Sequence, residues 1–336
     1  MSYLCFLILI IKVAGLEAAQ IANQTPIKGD KTVVIAEKYA FHNDFDKCMI
    51  DRWTNPRLPV LRTSPTAACN TANHSRLCYG AQNRRPDNAQ YIACYNIRKQ
   101  IPEFTAYIVP HGSYSRICGR YRRPRSFARD RGPYAPKSQA KHNDYKNTGG
   151  RGENFCSRGH LVPSGVFNTK HERDLTFIMT NVAPQWQPFN GGNWASVERA
   201  VKDYATFVGR GVYVFTGTAG VAKNPSTKSP YVVGTGKMVV PAYYWKAVCD
   251  PEIKESIVFI AENNVDVTSE AKVAAGTCAG QAMTKKRGVI YCYSVCAAQV
   301  SYFHNWWHGS TIPDFHPVNC GTARMGNFLN TYLNFI

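Results

Sequence analysis

"CSRGHLVPSG", residues 156–165, sets a histidine directly behind an arginine and a glycine, with Leu161, Val162 and a proline following it. Standing alone, His160 reads as an exposed side chain at the end of a short extended segment. Its meaning depends on what comes next. "DLTFIMTNVAPQ", residues 174–185, is a β-rich run that ends in a proline-bounded loop. "NWASVERAVKDYATFV", residues 193–208, puts Trp194, Val197, Val201, Tyr204, Ala205 and Val208 on one face at helical spacing. Glycines at 209 and 211 then stop that helix. "GVYVFTGTAG", "KMVVPAYYWKAVCD" and "ESIVFIAEN" follow as strands. Strand, loop, strand, loop, helix, strand predicts an α+β layer fold.

The same stretch assembles the groups needed to break a phosphodiester. A histidine with a pKa near 6.5 can take a proton from water at neutral pH, which suits His160 as a general base. A hard divalent cation surrounded mostly by water needs one or two oxygen ligands, and the amide of Asn190 can supply one. A neutral ligand leaves the cation's charge free to polarise a phosphate. Arg158 can meet the extra negative charge of a pentacovalent phosphorus with forked hydrogen bonds. Glu198 follows Asn190 by about two helical turns and can orient a water that protonates the leaving oxygen. Each residue also has a plainer reading. Asn190 before Gly191 and Gly192 suits a tight turn or helix cap. Glu198 and Lys202 are four apart and suit a surface ion pair, and Arg158 suits a generally basic surface.

Order and spacing decide between these readings. "SRGHLVPSG", then "TNVAPQWQPFNGGNWASVE", resembles the active-site signature of the DNA/RNA non-specific endonucleases, whose pattern is (D/S)RGH, N-x-x-P-Q and N-x-G-x-W-x-x-x-E on a ββα-metal finger. The resemblance covers roughly residues 105–260, with "RPRSFARD" and "NDYKN" before the motif and "VYVFTGTAG" and "VPAYYWKAV" after it. It implies His160 as the general base, Asn190 as the direct ligand of Mg²⁺ (or Mn²⁺ in its place), Arg158 and Glu198 in the roles given above, and Asn181 supporting the site through hydrogen bonds. Lys202 stands where bacterial secreted members carry an arginine, and Ser157 where an aspartate is more usual. The implied fold is a ββα-metal (His-Me finger) core with a central antiparallel sheet and flanking helices.

Working outward, the 336 residues carry 40 Lys and Arg against 22 Asp and Glu, a formal charge of +18 that attracts polyanions. Seven of the arginines lie in "RICGRYRRPRSFARDR", residues 116–131. Arg116, Arg120, Arg122, Arg123, Arg125, Arg129 and Arg131, with Lys202, are read as a nucleic-acid-binding set, and Tyr121 and Phe127 as stacking partners. A solvated basic loop or a glycan-retaining patch explains the charge as well, but not the motif order. The following "GPYAPKSQAKHNDYKNTGGRGEN" is expected to be a long exposed loop.

The apolar run from Tyr3 to Ile11 is too short to span a membrane and reads as a secretory signal within residues 1–18, cut after Gly15 or Ala18. Removing Cys5 with it leaves 11 cysteines, spread as for disulfides in an oxidising compartment, with one left over. "CYSVC" has no partner pair at zinc-finger spacing, and the sequons at Asn23 and Asn73 fit a secreted glycoprotein. His304 and His308 sit in an aromatic segment where packing of Trp306 and Trp307 is the plainer reading. Residues 19–104 are expected to form a disulfide-tied β-rich N-terminal region, and 105–336 the nuclease domain. The expectation is therefore a secreted, Mg²⁺-dependent, sugar-nonspecific endonuclease acting on DNA and RNA, with no membrane span and no protein partner deducible. The alternative is a secreted nucleic-acid- or polyanion-binding protein on a nuclease scaffold.

Overall fold

The computed structural model describes residues 45–50, 60–62, 65–80, 89–112, 121–132, 134–146, 148, 152–235, 238–298, 315–316, 320 and 323–336. All belong to the compact unit Val33–Ile336. The signal segment, Asn23, Cys118, Arg116, Arg120, His304 and His308 lie outside the described residues.

Strands β1 (His74–Tyr79), β2 (Tyr91–Asn96), β3 (Ile101–Val109), β6 (Val212–Ala219), β9 (Tyr243–Asp250), β10 (Glu255–Glu262) and β13 (Ile290–Tyr293) form one antiparallel sheet in the order β1-β2-β3-β6-β9-β10-β13. A short strand, β14 (Ala323–Arg324), adds to β10 in parallel. Three two-stranded pieces stand apart from this sheet: β4 (Cys156–His160) with β5 (Val182–Trp186), β7 (Val232–Val233) with β8 (Met238–Val239), and β11 (Lys272–Ala274) with β12 (Ala282–Thr284). Among the described residues, the α-helices longer than four residues are α1 (Lys170–Leu175), α2 (Ala195–Phe207) and α3 (Gly326–Thr331). Among the described residues, no helix is long and apolar enough to cross a membrane.

The central strands are buried almost end to end because both faces of the sheet are covered. Tyr91, Tyr107, Val214, Tyr244 and Phe259 point to one core, shared with α2, β4 and β5. Ile92, Phe104, Phe215, Trp245 and Val258 point to the other. Three disulfides, Cys48–Cys78, Cys69–Cys94 and Cys249–Cys320, lie on that second face. The expected helix is present, with Trp194, Val197, Val201, Tyr204 and Ala205 buried as its spacing requires.

Two expectations change. The boundary between residues 104 and 105 falls inside β3, and β1 and β2 extend the same sheet as β6 and β9. Composition marks residues 19–104 as β-rich, but pairing across the chain decides which sheet its strands join. The stretch after Arg131 is not simply exposed. Gln139, Ala140, Tyr145 and Thr148 are buried, and the Gln139 amide exchanges hydrogen bonds with the Asp130 backbone at 2.9 Å each. Its polar composition hides one aromatic and one amide that find partners. In "CYSVC", Cys292 is paired with Cys278, and Cys296 is exposed and free. Cys156 is the other free thiol among the described residues, and it is buried.

Candidate active site

Strand β4 pairs antiparallel with β5, from Cys156 opposite Trp186 to His160 opposite Val182. Side chains alternate along a strand, so Arg158 and His160 share one face and Ser157 and Gly159 the other. Gly159 is required by close approach: a Cβ there would lie 2.3 Å from Gln185 Oε1 and 2.5 Å from Gln185 Cβ. A turn, Gln187–Phe189, and a kinked turn, Asn190–Trp194, then lead into α2, completing a β-β-α unit.

His160 stands between two phenylalanines. Its ring centroid is 5.1 Å from Phe127 and 5.0 Å from Phe177, the latter edge-on. An arginine covers each phenylalanine: Arg158 lies 5.2 Å from the Phe127 centroid and Arg123 lies 5.9 Å from that of Phe177. The His160 side chain is only partly buried, yet Nε2 is sealed from solvent and has no hydrogen-bond partner. Nδ1 is then the nitrogen left to meet a water. Loss of solvation, followed by the charges of Arg123 and Arg158, pushes the imidazole pKa down to about 3. Arg158 is itself fixed by donating to His142 O at 3.2 Å and by the ring of Tyr145 at 5.4 Å. His142 Nδ1 accepts from the Phe127 amide at 3.1 Å, which ties the phenylalanine to the same loop.

On the opposite face, the hydroxyl of Ser157 donates to Gln185 O at 3.0 Å. Its proton is thereby committed, so Ser157 Oγ can only accept from Asn190, whose Nδ2 lies 2.9 Å away. That orientation turns Asn190 Oδ1 elsewhere, with no protein partner among the described residues. On the same face of β4, against Gly159, the side-chain amide of Gln185 is fully buried and neither its nitrogen nor its oxygen is satisfied. The neutral amide oxygen of Asn190 is a donor that suits a hydrated hard cation. The cluster Cys69, His74 and Cys94 does not fit one, because its two sulfurs are joined to each other.

Glu198 lies in the first turn of α2. Burial raises its pKa, against the charges of Lys246 and Arg123. Lys246, on β9, is almost fully buried and donates to Tyr107 Oη at 2.8 Å and to Thr216 Oγ1, while burial lowers its own pKa. Asn181 is fully buried and grips the segment just past His160. Its Oδ1 accepts from Val162 N at 2.9 Å, and its Nδ2 donates to Val162 O at 3.0 Å and Thr176 O at 2.9 Å.

Other expected residues are placed differently. Lys202 does not pair with Glu198; its Nζ donates to Pro110 O and to Asn168 Oδ1, both at 2.7 Å. Arg122, Arg123, Arg125, Arg129 and Arg131 are exposed. Phe127 packs on His160, and Tyr121 donates to Asp174 at 3.1 Å under the guanidinium of Arg173; both rings are half-buried. Phe177 and Lys246 were not singled out by the sequence, and Gln185 only as the last residue of the N-x-x-P-Q pattern, with no role. The signal for two of them was there: a glutamine and a lysine, each inside an apolar strand run.

Several known proteins are similar to this chain. A "Salivary endonuclease" of Lutzomyia longipalpis is 41% identical over 116 residues, covering 34% of this chain and 28% of that protein. A "Salivary endonuclease" of Culex quinquefasciatus is 28% identical over 111 residues, covering 32% and 30%. A "Nuclease" of Nostoc sp. is 30% identical over 92 residues, covering 27% and 30%. The chain thus matches under a third of the length of each of these relatives. A solved EndoG/EndoGI complex aligns with 52% of this chain and 72% of that one, at TM-score 0.39 and 21% identity. The family described as DNA/RNA non-specific endonuclease matches residues 69–298, which include β4, β5 and α2 and every site residue discussed above, and the chain belongs to that family.

Proposed function

We propose that the protein is a secreted endonuclease that hydrolyses phosphodiester bonds of DNA and RNA with the aid of Mg²⁺, for which Mn²⁺ substitutes. The observation that carries this reading is the Gln185–Ser157–Asn190 hydrogen-bond chain, which frees Asn190 Oδ1 on the same β-β-α unit that holds Arg158 and His160. A divalent cation held by Asn190 would neutralise charge on the phosphate oxygens.

The protein's own groups supply the remaining chemistry. His160 is neutral at physiological pH and accepts a proton at Nδ1 as a water oxygen attacks phosphorus. A bound phosphate offsets the charges of Arg123 and Arg158 and so raises the basicity of the imidazole where it is needed. Arg158, fixed by His142 and Tyr145, meets the charge that accumulates on phosphorus. Asn181 positions the chain behind His160. Burial of Glu198 favours its protonated form, which suits delivery of a proton to the leaving O3′, so that the phosphate stays on the 5′ end. The exposed arginines at 122, 123, 125, 129 and 131 track the backbone without reading bases. Secretion is supported by the four disulfides among the described residues and by the salivary relatives.

The test is cleavage of plasmid DNA and of a structureless RNA in Mg²⁺, Mn²⁺ and EDTA, by the wild type and by Asn190→Ala. Both substrates are expected to be cut by the wild type only when metal is present, and Asn190→Ala is expected to need far more metal. DNA that is shifted on a gel but left uncut would support the binding protein instead.

A further inference from the structure

We infer that Asn193 is a positioning residue for the metal-holding turn Asn190–Trp194, which it anchors to a second turn, residues 285–288, almost a hundred residues away in the chain. The inference rests on Asn190 being the metal ligand. Asn193 is fully buried, and its polar atoms bond to other parts of the chain. Its backbone N donates to Arg287 O at 3.0 Å and its Nδ2 donates to Gly288 O at 2.7 Å, while its Oδ1 accepts from Ile336 N at 2.7 Å. The backbone kinks at Gly192, with φ −98° and ψ −123°, and the two turns touch there: a Cβ on Gly192 would lie 2.8 Å from Arg287 O. The kink is therefore shaped against the 285–288 turn, not by the helix that follows.

That turn is firmly held. It joins β12 to β13 inside the span closed by Cys278–Cys292. Lys286 and Arg287 reach Glu153 at 3.2 and 3.5 Å, just before β4, so one brace touches the approach to His160 as well as the metal-holding turn. A ligand supplied by a single neutral amide depends on how well its backbone is fixed. Loss of the anchor should therefore appear as weaker metal binding more than as slower chemistry at saturating metal.

The experiment is Mn²⁺ binding to the full-length protein by calorimetry without nucleic acid, alongside the metal dependence of DNA cleavage. Asn193→Ala is expected to bind Mn²⁺ about 10–100-fold more weakly, with a much smaller fall in turnover at saturating metal. A folded Asn193→Ala protein with wild-type Mn²⁺ affinity would overturn the proposal, as would a loss confined to turnover. If Asn193→Ala does not fold, Cys278→Ser/Cys292→Ser decides, because it loosens the brace and leaves Asn193 in place. Weaker Mn²⁺ binding is expected there too, and unchanged affinity refutes the brace. Asn190→Ala separates the two levels. If it binds Mn²⁺ like the wild type, the ligand assignment itself has failed; if it loses Mn²⁺ while Asn193→Ala does not, only the anchor has failed.

Discussion

Arg123→Gln probes how the His160 ring is kept neutral. Burial and then the charges of Arg123 and Arg158 hold that imidazole at a pKa of about 3. The Arg123 guanidinium lies 5.9 Å from the centre of the Phe177 ring, which in turn lies 5.0 Å from that of His160. Charge and imidazole are thus separated by at most about 11 Å, and at an effective dielectric of about 20 two unit charges that far apart interact by about 1.5 kcal/mol. Removing one of them should raise the pKa by about one unit. Proton NMR titration of the imidazole C–H resonances reads this directly, with His160→Gln identifying the signal. In the wild type the resonance should titrate far below the exposed histidines, and in Arg123→Gln it should move upward. A short oligonucleotide bound in EDTA should move it the same way, because its phosphates oppose the guanidinium charges. A His160 pKa near 6.5 in the wild type, or no change in Arg123→Gln, would refute the reasoning.

Three more outcomes follow from the same geometry. His160 has a lower pKa folded than unfolded, so the unfolded chain binds more protons between pH 6.5 and about 3; the stability it contributes is full above pH 6.5 and is lost as pH falls through that window. Urea denaturation should accordingly show His160→Gln losing less stability than the wild type from pH 6.5 to 4. Ser157→Ala removes the acceptor that orients Asn190 and should raise the metal concentration needed for cleavage about 10-fold, whereas Ser157→Asp restores an acceptor and should not. Equal metal dependence in Ser157→Ala would remove the serine from the site. Replacing Arg122, Arg125 and Arg129 with glutamine should flatten the plot of log binding constant against log salt by about 0.9 for each phosphate no longer neutralised; an unchanged slope would take the segment out of the binding surface.

Local pattern made β4, β5, α2 and the long strands legible, because alternation and helical spacing depend on near neighbours. The resemblance to the endonuclease signature, not the local pattern, implied one β-β-α unit carrying Arg158, His160, Asn190 and Glu198. What escaped it depends on distant pairing. Phe127 was read as a stacking partner and Phe177 is an ordinary core residue by composition, and only the fold sets them on either side of His160. Lys246 stands out in an apolar strand, but its partners Tyr107 and Thr216 come from β3 and β6. Lys202 lies one turn from Glu198 and suggested an ion pair, yet it bonds to the loop after β3. Similarly, the β-rich character of residues 19–104 was readable, but not that β1 and β2 are outer strands of the central sheet.

The central claim is that His160 performs the chemistry at a metal-dependent site. Single-turnover cleavage of plasmid DNA by the wild type and by His160→Ala, in Mg²⁺ and in EDTA, tests it most directly, with DNA affinity measured in EDTA for both. His160→Ala should bind DNA as tightly as the wild type and cut it about 10²–10⁴-fold more slowly, with EDTA stopping the wild type. Cutting by His160→Ala at the wild-type rate would contradict the account.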